Sequence, residues 1–478
     1  MSSIIAPDFG YNRRWEILAF TSVGAFMAPL DGSIISVALP VMGPQLGLSF
    51  EGTLWVQAAY LLTMAVLLIP LGRLADQRGR LKFYLTGITL FTLGSVGAAA
   101  SVGCTSIILA RVVQGCGGAL LSSTSSALVT AAFPACERGK AMGINVMSVY
   151  AGLSLGPPLG GFLVDSLSWH WIFLINIPIG IIVLLWGRRI GSAVVEARAD
   201  RKLDLPGSIW LGSGLVSLLM PLTLHAKWGW TSTPTIALFA ISVFSFITFF
   251  VRESSTTDPL IDLNLLRRNP VFAFGNLAAL LNYMAIFAVG LLTSIWLQLA
   301  HGFSAAFAGW IMLGQPVVQS LLSPVAGRLS DRMGTRKLTI LGMSMTGLGM
   351  LLLASIGKGA GLAAVVASLA IIGVGMASFS APNSSAVMGS VERAQLSLAG
   401  AFLGSMRVIG MTLSVAILGG LAASHLGAGG WQDLLMLGSS GPGADAFIRG
   451  YSTAMFTGAC FALLGVIACL PKPKIIRL

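Results

Sequence analysis

The sequence predicts an all-α polytopic membrane protein in which two pseudo-symmetric six-helix bundles flank an inserted two-helix hairpin, giving fourteen transmembrane helices with both termini cytoplasmic. Three observations predict it: a composition that no soluble core could hide, apolar runs separated by cations that keep to one side, and an eleven-residue stretch that occurs twice. Of 478 residues, 55% are hydrophobic and 10% charged, against roughly 25% charged in an ordinary soluble domain. The mean hydropathy is +0.86. Runs of about 20 apolar residues are what a hydrocarbon core ~30 Å thick requires.

Taken in chain order, apolar runs bounded by charge, Gly or Pro fall at about 15–39, 53–75, 83–103, 106–128, 139–164, 169–188, 204–226, 232–251, 271–299, 304–327, 337–357, 360–389, 396–423 and 447–470. No small-residue cleavage site follows the first run, so it is expected to remain as the first span. With the N-terminus inside, the cytoplasmic connections hold all but five of the 29 Lys and Arg. Lys227, Lys358 and Arg449 fall outside, and Arg111 and Arg407 fall within spans. This alternation satisfies the positive-inside rule, and dropping one span would scramble it. The stretch from Ser424 to Ala446 is Gly-rich but contains Trp431 and LLML, which reads as an outer loop with a short interfacial element.

GRLADQRGRLK, Gly72 to Lys82, recurs as GRLSDRMGTRK, Gly327 to Lys337. Both copies follow a span on the cytoplasmic side, so two halves of the same topology are expected, with a central site near the midplane. The division is 1–190 for the first bundle, 191–268 for the linker and inserted pair, and 269–478 for the second bundle. Glycine turning and helix capping would account for one copy. A second copy with the same Gly, Arg, Leu, Asp, Gly, Lys spacing favours a gating latch built on Gly72, Arg73, Asp76, Gly79, Arg80, Gly327, Arg328 and Asp331. Asp76 is placed at the start of the third span, facing Arg73, Arg80 and a helix end of the other half.

Among the 17 acids, only Asp31, in FMAPLDGSIISVALP, falls well inside hydrocarbon. A carboxylate there costs at least ~2.5–3.5 kcal/mol on insertion scales. Pro29 and Gly32 flank it, so the helix can bend and admit water, and Asp31 is the candidate proton-coupling group. The structural alternative is a hydrogen-bonded or permanently protonated Asp. Arg407 lies near mid-membrane with no acid in its half at that depth; an anionic substrate group, helix-end carbonyls or the Asp76 loop could meet it. Cavity candidates, chosen as polar or aromatic groups at mid-span depth, are Tyr60, Asn145, Tyr150, Asn282, Tyr283, Gln315, Gln319, Asn383 and Arg407.

The net charge of +12 does not imply nucleic acid, because the cations sit in short loops between spans. Cys104, Cys116, Cys136, Cys460 and Cys469 have no metal-ligand spacing and read as small apolar fillers. No disulfide, metal or cofactor is expected. No nucleotide loop or nucleophile constellation is present, so the chain does not read as an enzyme.

At this point the sequence resembles the major facilitator superfamily, specifically its fourteen-span drug/proton antiporter branch, over nearly the whole chain. Gly72, Arg73, Asp76, Gly79 and Arg80 resemble the loop motif between its second and third helices. Arg111, Gln114, Gly115 and Gly117 in ARVVQGCGG are similar to its fourth-helix motif. Gly152, Gly156, Pro157, Gly160 and Gly161 in GLSLGPPLGG are similar to its fifth-helix antiporter motif. LDGSIISVALP, Leu30 to Pro40, resembles the first-helix signature of the branch, and WHWIFLINIPIG, Trp169 to Gly180, and DPLIDLNLLRRNP, Asp258 to Pro270, also look like it. Departures are Ser33 and Ser36 where Thr and Asn are more usual, Leu81 in place of a base, and His170 in place of Arg.

The resemblance implies that helices one and four adjoin, so that Arg111 pairs with Asp31 and biases its protonation; the alternative is an Arg111 that snorkels to the outer headgroups. The chain reads as a multi-pass plasma-membrane exporter working by alternating access as a monomer, with proton in and a cationic or neutral amphipathic compound out, since one membrane acid would attract a cation and bind the proton at the same group, in direct competition at Asp31. The expected partners are the lipid bilayer, protons and small amphipathic substrates, with no nucleic acid. The rivals are a dedicated exporter of one metabolite or antibiotic, and a non-transporting facilitator-like sensor.

Overall fold

A computed structural model of the chain describes residues 13–134, 137–191, 204–256, 260, 263–357, 361–392 and 395–470. Fourteen helices are long and apolar enough to cross a membrane: α1 (Arg14–Gln45), α2 (Phe50–Arg78), α3 (Arg80–Ala99), α4 (Cys104–Ala132), α5 (Arg138–Ser166), α6 (Trp171–Ile190), α7 (Leu205–Leu224), α8 (Thr233–Ser255), α9 (Pro270–Ala300), α10 (Ala305–Ser330), α11 (Thr335–Ala354), α12 (Leu362–Gly389), α13 (Leu398–Gly427) and α14 (Pro442–Ala468). Each coincides with one of the fourteen apolar runs. The helix starts carry recognisable chemistry. The hydroxyls of Ser49, Ser232 and Ser304 and the amide oxygen of Asn269 each accept from a backbone N–H in the first turn of α2, α8, α10 and α9, satisfying donors that would otherwise be orphaned in lipid.

Two bundles repeat one packing scheme. In the first, α1 packs on α5, α2 and α3 on α4, and α3 on α6; in the second, α9 packs on α13, α10 and α11 on α12, and α11 on α14. The eleven-residue repeat sits at the same place in both. Gly79, between α2 and α3, has φ +113°, and Gly334, between α10 and α11, has φ +87°. That region is open to glycine and strained for other residues, which explains why both copies keep it.

The repeat also extends beyond the quoted motif. A Cβ on Gly87 would lie 2.8 Å from Leu120 and one on Gly94 2.6 Å from the Gln114 backbone. Their counterparts Gly342 and Gly349 would put a Cβ 2.7 Å from the Gly375 carbonyl and 2.6 Å from Ile372. The same seven-residue glycine spacing therefore brings α3 onto α4 and α11 onto α12 at backbone contact.

The bundles meet at their outer ends. The Gln298 amide of α9 donates to the Val37 carbonyl of α1 at 2.9 Å. Asp165, ending α5, accepts from the Ala305 and Ala306 N–H groups at 3.2 and 2.8 Å, an acid on the positive end of α10. Helix α7 lies across the junction, against α2 in one bundle and α13 in the other, with α8 packed behind it. At the hairpin's cytoplasmic end Asp204 caps α7 through the Gly207 N–H and binds Arg252 of α8 through two guanidinium nitrogens.

Two expectations need correction. The stretch after Ser424 is not a loop with a brief interfacial turn: the chain stays helical to Leu437, bending at Gly427 and Gly429, whose φ values are +62° and +89°. The helix beyond the bend lays Trp431 over the α1–α2 connection, where its indole donates to the Leu48 carbonyl at 3.0 Å. Asp76, secondly, lies in the last turn of α2 rather than at the start of α3. Arg198, Arg201, Lys202, Lys358, Arg393, Lys472, Lys474, Arg477, Cys136 and Asp258 lie outside the described residues, as does the side chain of Asp331.

Candidate functional site

Asp31 and Arg111 are both fully buried, and their side chains form an ion pair through Asp31 Oδ2 and Arg111 Nη1. The pair belongs to a polar cluster to which five helices contribute. Gln114, one turn after Arg111 on α4, donates to Asp31 Oδ1 at 2.8 Å and to Ser95 Oγ of α3 at 2.8 Å. Asn176 of α6 donates to the same two oxygens at 3.3 Å. Arg111 donates through Nη1 to Gln114 Oε1 and through Nε to the Val56 carbonyl of α2, at 2.6 and 3.0 Å. The guanidinium also lies 4.3 Å above the Tyr60 ring, close enough for a cation–π contact.

The physical logic is compensation. Neither charge could be held singly at this depth, and a buried pair is tolerated in proportion as its remaining donors and acceptors are filled; here every group but Arg111 Nη2 is bound. Here three donors converge on one carboxylate, which is therefore oriented as well as neutralised. The expected opening of α1 to water at Asp31 is not what the structure holds, since the carboxylate is sealed by its own bundle. The snorkelling alternative for Arg111 is likewise overturned by its burial. Gln114 belongs to the quoted fourth-helix motif and Asn176 to the quoted stretch Trp169 to Gly180, neither with a role assigned at Asp31, whereas Ser95 was missed; an amide or hydroxyl in a span, needing a partner in lipid, was the available signal.

Around the latch, Asp76 and Arg80 pair at 2.6 Å across the Gly79 turn, and Arg80 Nη1 donates to the Ala127 carbonyl of α4. A Cβ on Gly72 would meet Ser123 at 3.2 Å. These contacts lie within the first bundle. In the second copy Arg328 is exposed and Thr335 stands where the first copy has Arg80, so the Asp76–Arg80 pair has no counterpart.

The α5 motif packs on both sides. Cβ atoms on Gly152, Gly156 and Gly160 would lie within 2.7 Å of Phe26, Ser33 or Ile34 of α1, and one on Gly161 2.3 Å from the Ala305 carbonyl of α10. Gly309 of α10 in turn abuts the Pro157 carbonyl. Helix α5 is thereby wedged between α1 and the opposite bundle, at the level where the bundles close.

The cavity candidates divide. Tyr60 is buried beneath Arg111, Asn145 donates to Ser125 of α4, and Asn282 donates to Met343 of α11; all three face the interior of their own bundle and do not line a space between bundles. Asn383 is buried and donates to the Gly275 carbonyl of α9, and Gln319 is buried in α10. Tyr150 and Gln315 are half-buried. Arg407 is half-buried too, with Nη2 donating to Ser384 Oγ at 2.6 Å and its guanidinium carbon 6.0 Å from the Tyr283 ring. No carboxylate reaches it among the described residues. No cluster of metal-ligating side chains occurs among the described residues either.

The family model described as Major Facilitator Superfamily matches residues 21–276 and again 275–475. The riboflavin transporter RibZ of Clostridioides difficile (strain 630) is 30% identical over 414 residues, 87% of this chain and 89% of that protein. The multidrug resistance protein Stp of Mycobacterium tuberculosis (strain ATCC 25618 / H37Rv) is 33% identical over 412 residues, 86% of this chain and 76% of that one. The tetracenomycin C resistance and export protein of Streptomyces glaucescens is 29% identical over 415 residues, 87% and 77% respectively. Among solved structures, a bacterial homolog to the human lysosomal transporter Spinster, inward-facing and unoccupied, superposes with a TM-score of 0.67 over 95% of this chain and 96% of its own. At 15% identity that likeness concerns the fold alone.

Proposed function

The chain belongs to the Major Facilitator Superfamily and is a multi-pass plasma-membrane transporter, and from that premise we propose that it exports amphipathic organic compounds in exchange for protons. The working parts are the bundle of residues 1–190, the insert 191–268 and the bundle 269–478, which rock about a central site between them. Relatives named for multidrug resistance and antibiotic export support the substrate class. The observation that carries the coupling is the Asp31–Arg111 pair: the one acid deep in the membrane, held by a cation that it would release on taking up a proton.

The mechanism follows from which residues share α1. Asp31 binds α4 and α6, Ser33 faces α5 through the Gly152 carbonyl, and Val37 binds α9 of the other bundle. Protonating Asp31 removes the charge that holds Arg111, leaving the guanidinium to Gln114, the Val56 carbonyl and the Tyr60 ring. The resulting shift of α1 near Pro29 is delivered one to two turns further on, to the outer contacts with α5 and α9. Arg111 Nη2, Asn176 Oδ1 and Gln57 Oε1 are buried without a protein partner. Water hydrogen-bonds such groups, and they are where water admitted during the change of access state would meet Asp31 and its cation. The Asp76–Arg80 pair and the second motif copy act as the cytoplasmic latch, made in one access state and released in the other.

The test is uptake of an amphipathic fluorescent compound into proteoliposomes under an imposed pH gradient, comparing the native protein with Asp31→Asn. Gradient-driven accumulation lost in the variant, with downhill equilibration retained, supports the coupling role. Full gradient-driven accumulation by Asp31→Asn refutes it.

A further inference from the structure

The two arginines that the apolar runs place inside spans, Arg111 and Arg407, are held in opposite ways. Arg111 is sealed and matched to a carboxylate. Arg407 is half-buried with no carboxylate, and its donor Nη2 alone is bound, by a serine hydroxyl. It lies nine residues into α13, roughly 14 Å from the cytoplasmic start of that helix at 1.5 Å per residue. An uncompensated guanidinium at membrane depth marks a place where an anion or a water-filled space is required.

The surroundings select the anion. Ser384 Oγ donates to the Ser380 carbonyl at 2.7 Å and so presents a lone pair to one Nη2 hydrogen of Arg407, leaving one two-donor edge of the guanidinium for a guest. Tyr283 of α9 is held beside the guanidinium because α9 and α13 touch at Gly410, where a Cβ would lie 3.0 Å from the Tyr283 Cβ. One turn before Arg407, a Cβ on Gly404 would lie 4.0 Å from Leu68 of α2, in the opposite bundle. This face of α13 is therefore turned toward the other bundle. Contacts of Gln298 and Asp165 join the two bundles at their outer ends.

A planar fork suits the paired oxygens of an ionised acid, and the Tyr283 ring beside it suits an aromatic body. We propose that Arg407, with Ser384 and Tyr283, binds the ionised acid group of an amphipathic aromatic substrate, so that the exported class includes carboxylates or sulfonates. This reverses the cationic or neutral substrate expected from Asp31 alone: that carboxylate is already matched by Arg111, and the unmatched charge facing the guest is positive. The inference rests on the export reading for its consequence, not for its binding chemistry.

The experiment measures equilibrium binding of a matched pair, anilinonaphthalene sulfonate and its neutral sulfonamide, to the purified full-length protein in neutral detergent. The native protein is expected to bind the sulfonate about tenfold more tightly than the sulfonamide, the scale of one charge-assisted hydrogen bond. Arg407→Gln should erase that ratio and Arg407→Lys should keep part of it, which separates lost charge from lost folding. Equal binding of the two probes by the native protein, or an unchanged ratio in Arg407→Gln, overturns the proposal. So does displacement of the sulfonate by phosphatidylglycerol but not by phosphatidylcholine, which would make a lipid headgroup the occupant. Flux in proteoliposomes is read separately. Arg407-dependent binding without export of either probe would sink the export reading and leave the subsite standing, whereas export of both with no Arg407-dependent ratio would do the reverse.

Discussion

Replacing Asp31 by Asn keeps the size of the side chain and removes its charge, leaving the Arg111 guanidinium buried and unmatched. Breaking a buried pair by deleting one partner costs about 3–5 kcal/mol, because the surviving charge stays desolvated. Here the lower part of that range is expected. Gln114 and the Val56 carbonyl still accept from Arg111, and the Tyr60 ring still lies beneath it. For a bundle of this size that corresponds to a fall on the order of 10 °C in apparent melting temperature. Adding Arg111→Gln to Asp31→Asn removes the orphaned charge and should restore most of the loss, so that the double variant is more stable than the sum of the two single losses predicts, the non-additivity that a double-mutant cycle reads. Thermal unfolding of the four detergent-purified proteins, followed by intrinsic tryptophan fluorescence, reads this directly. If Asp31→Asn melts within a degree or two of the native protein, Asp31 is already uncharged in the resting state, and the account of Arg111 as the cation held by Asp31 is wrong.

Gly161→Val would drive a side chain into the Ala305 backbone, which cannot yield, so the outer closure should be weakened. A cysteine placed at Ser36 is then expected to react faster with a membrane-impermeant maleimide, and transport should fall. Asp76→Asn breaks a pair whose members are a quarter to a third exposed, so it should cost less than about 1 kcal/mol in stability while lowering flux severalfold; an equal loss of both would count against a latch. Cys104, exposed at the outer start of α4, should label from outside in intact cells. Cys469 follows the last span, and burial pushes its thiol up to about 11, with a hydrogen bond from Thr339 acting against the rise. At neutral pH it should label on the order of a hundredfold more slowly than an ordinary exposed thiol, its rate climbing as the pH approaches that value.

The spans were readable because lipid imposes length and charge asymmetry on every one of them, a constraint visible without partners. What lay within a span was harder. Asn145 and Asn282 were set at the right depth but on the wrong side, since a helix that is apolar all round gives no periodicity to separate the face toward its own bundle from the face toward a cavity. Asn176 reaches Asp31 across 145 residues of sequence, and no local pattern announces a contact of that separation. The α13 extension was hidden by glycine: Gly427 and Gly429 do bend the chain, but helix resumes because Trp431 finds Leu48 and Phe50 to cover. By contrast, the spacing of Gly87 and Gly94, repeated in Gly342 and Gly349, was present in the sequence and would have lengthened the recognised repeat by more than a turn of helix.

The separation of Asp31 from Arg111, 80 residues along the chain, also sets a schedule for biogenesis. At 5–20 residues per second of synthesis, helix α1 leaves the ribosome roughly 4–16 s before the cation that neutralises it. During that interval an acid costing ~2.5–3.5 kcal/mol at the centre of a helix has no partner. The first helix must therefore linger at the insertion machinery or ride shallow in the bilayer until α4 arrives. A chain truncated after α3 would hold its first helix less securely than a chain four helices long, so the minimal stably inserted unit of this protein ends at α4.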